Sequence, residues 1–227
     1  MNLTITAEDG HRLPVYEAKP AGEVRGGVVL FHEAFGVTPH IQQMADWLAG
    51  ERYHVLAPEM LARAVAKAED RALSYNKEGL EAGRRAIIAT PREKWMADAA
   101  ACVAHLQGKG LKAATLGYCW GGSLAYMTAC TVPNVACADC YYGGMLADLV
   151  AMMQPACPVQ FHLAVHDRYI PLAQAEGAIK VHLPQASLHV YDADHGFNRT
   201  GGATYNDALA QQARARTLVF LAENLAK

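Results

Sequence analysis

Short, continuously apolar runs alternate with stretches of helical period along almost the whole chain. GGVVLF (26–31), YHVLAP (53–58), AATLG (113–117), VACADCYYG (135–143), PVQFHLAVHD (158–167) and SLHVYDAD (187–194) have the length and the β-branched and aromatic content of strands. The spacing predicts helices over about 38–50, 92–107, from 123 onward, about 171–182 and about 204–224. In the second of these, Trp95, Ala99, Val103 and Leu106 fall on one face. Strands apolar on both faces and separated by helices predict βαβ units. The expected architecture is therefore α/β, a mostly parallel sheet flanked by helices on both faces. The first twenty residues predict an antiparallel hairpin at the edge, turning at Asp9-Gly10. No repeat or linker divides residues 1–227, so one domain is expected. Residues 59–91 break the rhythm: charged, helix-like, and inserted at the sheet end where such folds put ligands, they are positioned to cover a pocket.

Composition narrows the function classes. A net charge of −2 lacks the basic excess of a general phosphate-backbone binder. No apolar run approaches the roughly 20 residues of a membrane span. MNLTITAEDG has neither the basic nor the apolar region of a secretory signal, so a cytoplasmic protein with reduced thiols is expected. Of six cysteines, Cys137 and Cys140 share a C-x-x-C spacing, but on a strand residues three apart face opposite ways. They are read as structural, as are His162 and His166 on another strand.

The sharpest chemistry lies in Gly117-Tyr118-Cys119-Trp120-Gly121-Gly122, between a strand and a helix. This is a G-x-nucleophile-x-G elbow with cysteine where hydrolases usually carry serine. Its glycines let strand and helix pass closely, while Cys119 sits at the tip beside a helix N-terminus that favours a thiolate. In such folds the order along the chain is nucleophile, acid, histidine. His195, in the loop after the last strand, is the best-placed base among ten histidines. His11, His40, His54, His105, His182 and His189 lie before the elbow or within elements. Asp167, at the end of PVQFHLAVHD, is the favoured acid over Asp192 and Asp194, which stand too near His195 to reach it from behind.

Elbow GYCWGG, HDRYIP, HGFNR and His32-Glu33-Ala34-Phe35-Gly36 occur in this order, each after a strand, and resemble the dienelactone hydrolase family over about residues 5 to 224. The resemblance implies an α/β-hydrolase fold and a Cys-His-Asp triad of Cys119, His195 and Asp167, with the backbone N–H groups of Ala34 and Trp120 as the oxyanion hole. It also implies that Glu33 restrains the resting thiol and takes its proton when substrate enters. A carboxylate at the end of a buried strand is in any case expensive unless it has work to do. In the family, arginines bind the substrate carboxylate. Arg199 matches one of them, and the second is sought among Arg71, Arg84 and Arg85. Trp120 departs from the small or aliphatic residue expected beside the nucleophile, and its indole is expected to narrow the acyl pocket. The implied protein is a monomer or small homo-oligomer that hydrolyses a small-molecule ester or lactone without metal or organic cofactor. The alternatives are a carboxylesterase or thioesterase on an unrelated substrate, a non-catalytic binding protein of the same fold, and a thiol-redox protein.

Overall fold

A computed structural model describes residues 1–226. Its eight strands form one sheet in the order β1-β2-β4-β3-β5-β6-β7-β8. Strands β1 (Leu3–Thr6) and β2 (Arg12–Ala18) are the edge hairpin, and β2 runs antiparallel to β4. The hairpin turns where expected, with Gly10 at φ 83. From β4 (Tyr53–Pro58) through β3 (Gly26–Phe31), β5 (Ala113–Tyr118), β6 (Val135–Tyr141), β7 (Val159–Ala164) and β8 (Ser187–Tyr191) every pairing is parallel. All residues of β3, β4 and β5 are buried, as strands covered on both faces by helices must be. This is the α/β-hydrolase fold.

The helices are α1 (Pro39–Gly50), α2 (Lys77–Ala89), α3 (Arg92–Gln107), α4 (Trp120–Thr131), α5 (Leu146–Met152), α6 (Leu172–His182) and α7 (Asp207–Leu225). Local chemistry sets several starts. Pro39 stands in the first turn of α1, where a missing N–H costs nothing. The Asn76 side chain accepts from the Gly79 N–H and Asn206 from the Leu209 N–H, which caps α2 and α7. Helix α3 seats Leu106 directly on β3, where a Cβ on Gly27 would stand 2.8 Å from it.

Several expectations change. Helix α7 begins at its cap rather than at 204, and β8 ends at Tyr191 rather than 194. Helix α5 has no counterpart in the sequence reading, because seven residues are barely two turns and show no period. The 59–91 segment is only partly helical: an irregular stretch with one 3₁₀ turn (Ala68–Asp70) precedes α2. Arg71 holds that stretch together, donating from Nε to the Val65 carbonyl at 2.6 Å and from its terminal nitrogen to the Ala66 carbonyl. Arg63 ties it to the hairpin and α3, with both Asp9 and Asp98 within 3.0 Å.

Candidate active site

The chain reverses at Cys119, between β5 and α4, with φ 55 and ψ −120, a conformation costly for any residue with a side chain. The neighbouring glycines show why the turn is possible. A Cβ on Gly117 would lie 2.0 Å from the Gly121 carbonyl oxygen, and one on Gly121 would lie 2.3 Å from that of Phe31. A Cβ on Gly122 would lie 2.5 Å from that of Tyr141. Cys119 itself donates its N–H to the Tyr141 carbonyl at 3.0 Å. The elbow is thus wedged between the ends of β3 and β6, and Cys119 is partly buried.

Asp167 and His195 come together from the loops after β7 and β8. Asp167 Oδ2 lies 2.6 Å from His195 Nδ1, while Oδ1 accepts from the N–H groups of Tyr169 and Ile170. Both oxygens are occupied, so the carboxylate is held rigidly and Nε2 is the imidazole nitrogen left to act. Asp192 pairs with exposed His166 at 2.6 Å instead. Burial disfavours a charged imidazole at His195. The Cys119 sulfur and the Asp167 carboxylate outweigh it, and the pKa is pushed up to about 10. Within the loop Thr204 donates to the His195 carbonyl at 2.7 Å, and Arg214 of α7 pins the loop by donating to Asn198 at 2.9 Å.

Glu33, 1% exposed, stands beyond β3 on the same side. Its Oε1 faces Arg199 at 3.4 Å, and burial raises its pKa against the pull of Arg199 and His195. The Arg199 side chain is largely buried, 14% exposed. Its guanidinium lies over the rings of Tyr75 and Phe35, 4.9 and 5.3 Å from their centroids. Glu33 Oε2, Arg199 Nε and the Tyr142 hydroxyl are all buried without a hydrogen-bond partner among the described residues. Tyr142, at φ 35, leans its ring on His195, 5.0 Å between centroids.

The arginines of the inserted segment separate. The Arg84 guanidinium lies 5.7 Å over Tyr169, whose ring meets His195 edge-on at 5.0 Å. Arg85 is exposed, and Arg71 is engaged by carbonyls. Backbone contact carries α2 onto the site, since a Cβ on Gly83 would lie 1.7 Å from the Ala34 carbonyl oxygen. The Trp120 indole does not meet its expectation. It packs in the core, 5.3 Å from Trp95 and 5.6 Å from His32. Its backbone N–H opens α4, among the amides that have no intrahelical acceptor. Tyr75, Tyr142 and Tyr169 were not singled out in the sequence. Tyr142 and Tyr169 follow the C-terminal ends of parallel strands, a signal that could have found them. All six cysteines are unpaired.

A strained cysteine on a strand-turn-helix elbow, beside a histidine–aspartate pair at the C-terminal edge of this sheet, belongs to the α/β-hydrolases as a class. The model of the dienelactone hydrolase family matches residues 13–225, and the chain belongs to that family; it is a hydrolase. Carboxymethylenebutenolidase 1 of Cupriavidus pinatubonensis is 30% identical, with 97% of this chain and 95% of that one covered. Carboxymethylenebutenolidase of Pseudomonas sp. strain P51 is also 30% identical, covering 96% and 93%. Among solved structures, a proposed dienelactone hydrolase from Klebsiella pneumoniae superposes with a TM-score of 0.83 at 24% identity, covering 96% and 97%. A dienelactone hydrolase-like promiscuous phosphotriesterase from metagenomic libraries gives 0.77 at 19%, covering 99% and 98%. At those identities the likeness is one of fold.

Proposed function

We propose that the protein hydrolyses a carboxylic ester or lactone through an acyl-thioester on Cys119. His195 Nε2, with its pKa raised, already holds the thiol proton when the Cys119 thiolate attacks the carbonyl carbon, and Asp167 stabilises the imidazolium through Nδ1–H. The oxygen that gains negative charge sits between the N–H groups of Ala34 and Trp120. Collapse expels the alkoxide, which takes the proton back from His195; in a lactone it stays tethered to the acyl chain. Water then attacks the thioester, giving its proton to His195, and sulfur leaves. The observation that carries this reading is the positive-φ Cys119 beside a His195–Asp167 pair at 2.6 Å.

The Glu33–Arg199 pair supports an anionic substrate. A carboxylate reaching Arg199 competes with Glu33, the one charged partner 3.4 Å away, and a freed Glu33 is a base beside the site whose pKa burial has raised. Arg84 is the second candidate for the carboxylate. The packing of Arg199 over Phe35 and Tyr75 favours a second reading, in which Arg199 supports the scaffold and the substrate is a neutral ester.

A panel of p-nitrophenyl esters and small lactones, assayed with wild type, Cys119→Ala and alkylated enzyme, tests the proposal. Loss of the nucleophile should cost about 10⁴–10⁶ in rate with the fold intact, and intact-mass spectrometry of wild type should trap the acyl adduct. Near-full turnover by Cys119→Ala overturns the mechanism.

A further inference from the structure

We propose that His32 is a positioning residue that sets the Glu33–Ala34 peptide, so that the Ala34 N–H is held out toward the nucleophile elbow. The inference rests on the acyl-transfer reading above, in which that N–H meets the developing oxyanion.

His32 follows β3 directly and is 0% exposed. Its Nδ1 bonds the Glu33 carbonyl at 2.5 Å, and its Nε2 accepts the Met60 N–H at 3.1 Å. A backbone N–H can only donate, so Nε2 carries the lone pair and Nδ1 carries the proton. Burial pushes the His32 pKa down to about 4, which keeps the ring in this neutral form at working pH. Every peptide bond here is trans, and in a trans unit the carbonyl and the N–H point in opposite directions. With the Glu33 carbonyl drawn into the core by the imidazole, the Ala34 N–H of the same unit must point the other way.

The elbow lies close against this backbone. A Cβ on Gly121 would stand 2.6 Å from the His32 carbonyl oxygen, and the Trp120 ring rests against the His32 ring. One imidazole therefore braces both proposed donors, bonding the peptide that gives one N–H and packing on the residue that gives the other. The far end of the loop is held separately, by the Val37 N–H and Glu59 Oε2 at 3.5 Å. Gly36, at φ 80, lies between the two anchors, and the Leu73 N–H bonds the Phe35 carbonyl at 2.8 Å. Without the His32 bond, the Glu33 carbonyl keeps, among the described residues, one long bond, the 3.4 Å bond from the Gly36 N–H.

The test compares His32→Leu, which keeps bulk and removes the donor, with His32→Gln, which returns an N–H. Five readouts are kcat and KM on a p-nitrophenyl ester, iodoacetamide labelling of Cys119, and inhibition by a trifluoromethyl ketone and by its methyl ketone analogue. The fluorinated ketone adds the Cys119 sulfur to its carbonyl carbon, and the resulting oxyanion probes the donors; the methyl ketone only binds. His32→Leu should lower kcat and weaken the fluorinated inhibitor by about 10²-fold, the scale of one lost oxyanion donor. KM, labelling and the methyl ketone should stay within about threefold, and His32→Gln should recover most of the loss. Unchanged kcat in His32→Leu, or an equal fall in all readouts, overturns the inference. Should His32→Leu fail to fold, His32→Asn, whose amide is too short to reach, replaces it, and wild-type kcat there is equally fatal. A wild type that binds both ketones alike overturns the acyl-transfer reading itself, and this inference with it.

Discussion

Two of the histidine–carboxylate pairs at the β6–β8 side of the sheet, His162–Asp139 and His195–Asp167, differ in everything around them. His162 on β7 and Asp139 on β6 are wholly buried and 3.0 Å apart. His162 Nδ1 meets the Tyr191 hydroxyl at 2.7 Å, and Gln160 lies 3.1 Å from its Nε2. The second Asp139 oxygen accepts from Thr217 of α7 at 2.5 Å, and Thr217 in turn meets the Tyr141 hydroxyl. No polar atom of that cluster lacks a partner, so it staples β6, β7, β8 and α7 together. The His195–Asp167 pair sits instead beyond the strand ends, next to a strained cysteine and three buried polar atoms without hydrogen-bond partners among the described residues. A satisfied buried network rigidifies a fold, whereas unsatisfied groups gathered at a strand edge are retained at a cost that function explains. Residue type alone does not separate the two pairs; hydrogen-bond accounting does.

The largest test exchanges the two aspartates. Asp167→Asn should lower kcat by about 10³–10⁴ while the melting temperature barely moves, because the imidazole loses its correct tautomer. Asp139→Ala should do the reverse. Breaking a buried pair costs about 3–5 kcal/mol of stability, and the protein that remains folded should keep its kcat. Thermal unfolding and steady-state kinetics on both variants check this, and matching losses in the two would erase the distinction.

Glu59 is an intermediate case, buried, with one satisfied and one unpartnered oxygen. Burial raises its pKa from 4.5 to about 7, so the folded state keeps a proton that the unfolded chain releases. The stabilisation is full below about pH 4.5 and is lost as pH rises through about 7, a change of up to about 3 kcal/mol. His32 and His40 act with the opposite sign. Burial lowers them to about 4 and about 3, so their contribution is present above about pH 6.5 and is lost as pH falls through those values. Glu59→Gln should therefore gain stability relative to wild type at pH 8 and not at pH 4. Urea unfolding at the two pH values reads this out, and parallel curves would refute it.

A smaller effect concerns substrate charge. If Arg199 grips a carboxylate, Arg199→Ala should cost about 1.5–3 kcal/mol in kcat/KM for an anionic ester or lactone and little for a neutral one. Equal losses would move Arg199 into the scaffold with Phe35 and Tyr75. Exposed Arg84 should matter least, with about 0.5–1 kcal/mol lost on the anionic substrate alone in Arg84→Ala, because water screens its charge.

Much of the fold was legible because its signals are local. Strands buried on both faces read as apolar runs, and each chemical motif follows one of them, so the elbow, the His195 loop and Asp167 could be ordered along the chain. Where the signal was short, the reading failed. Helix α5 has too few residues to show a period, and the segment before α2 is shaped by Arg71 bonding to carbonyls rather than by any repeat.

From the sequence alone came the alternation that makes the parallel sheet, the glycines that permit the elbow, and the candidate residues at strand ends. These depend on neighbours within a few positions, where propensity, turn chemistry and periodicity operate. Only the tertiary structure decided which aspartate meets His195, that Glu33 faces Arg199 across 166 positions, and that the Trp120 indole turns into the core. The same holds for the unpartnered hydroxyl of Tyr142 and for the His32 ring bound to the Glu33 carbonyl. Hydrogen bonding and desolvation depend on distances of a few ångströms between groups that the chain brings together from far apart. No local pattern encodes them.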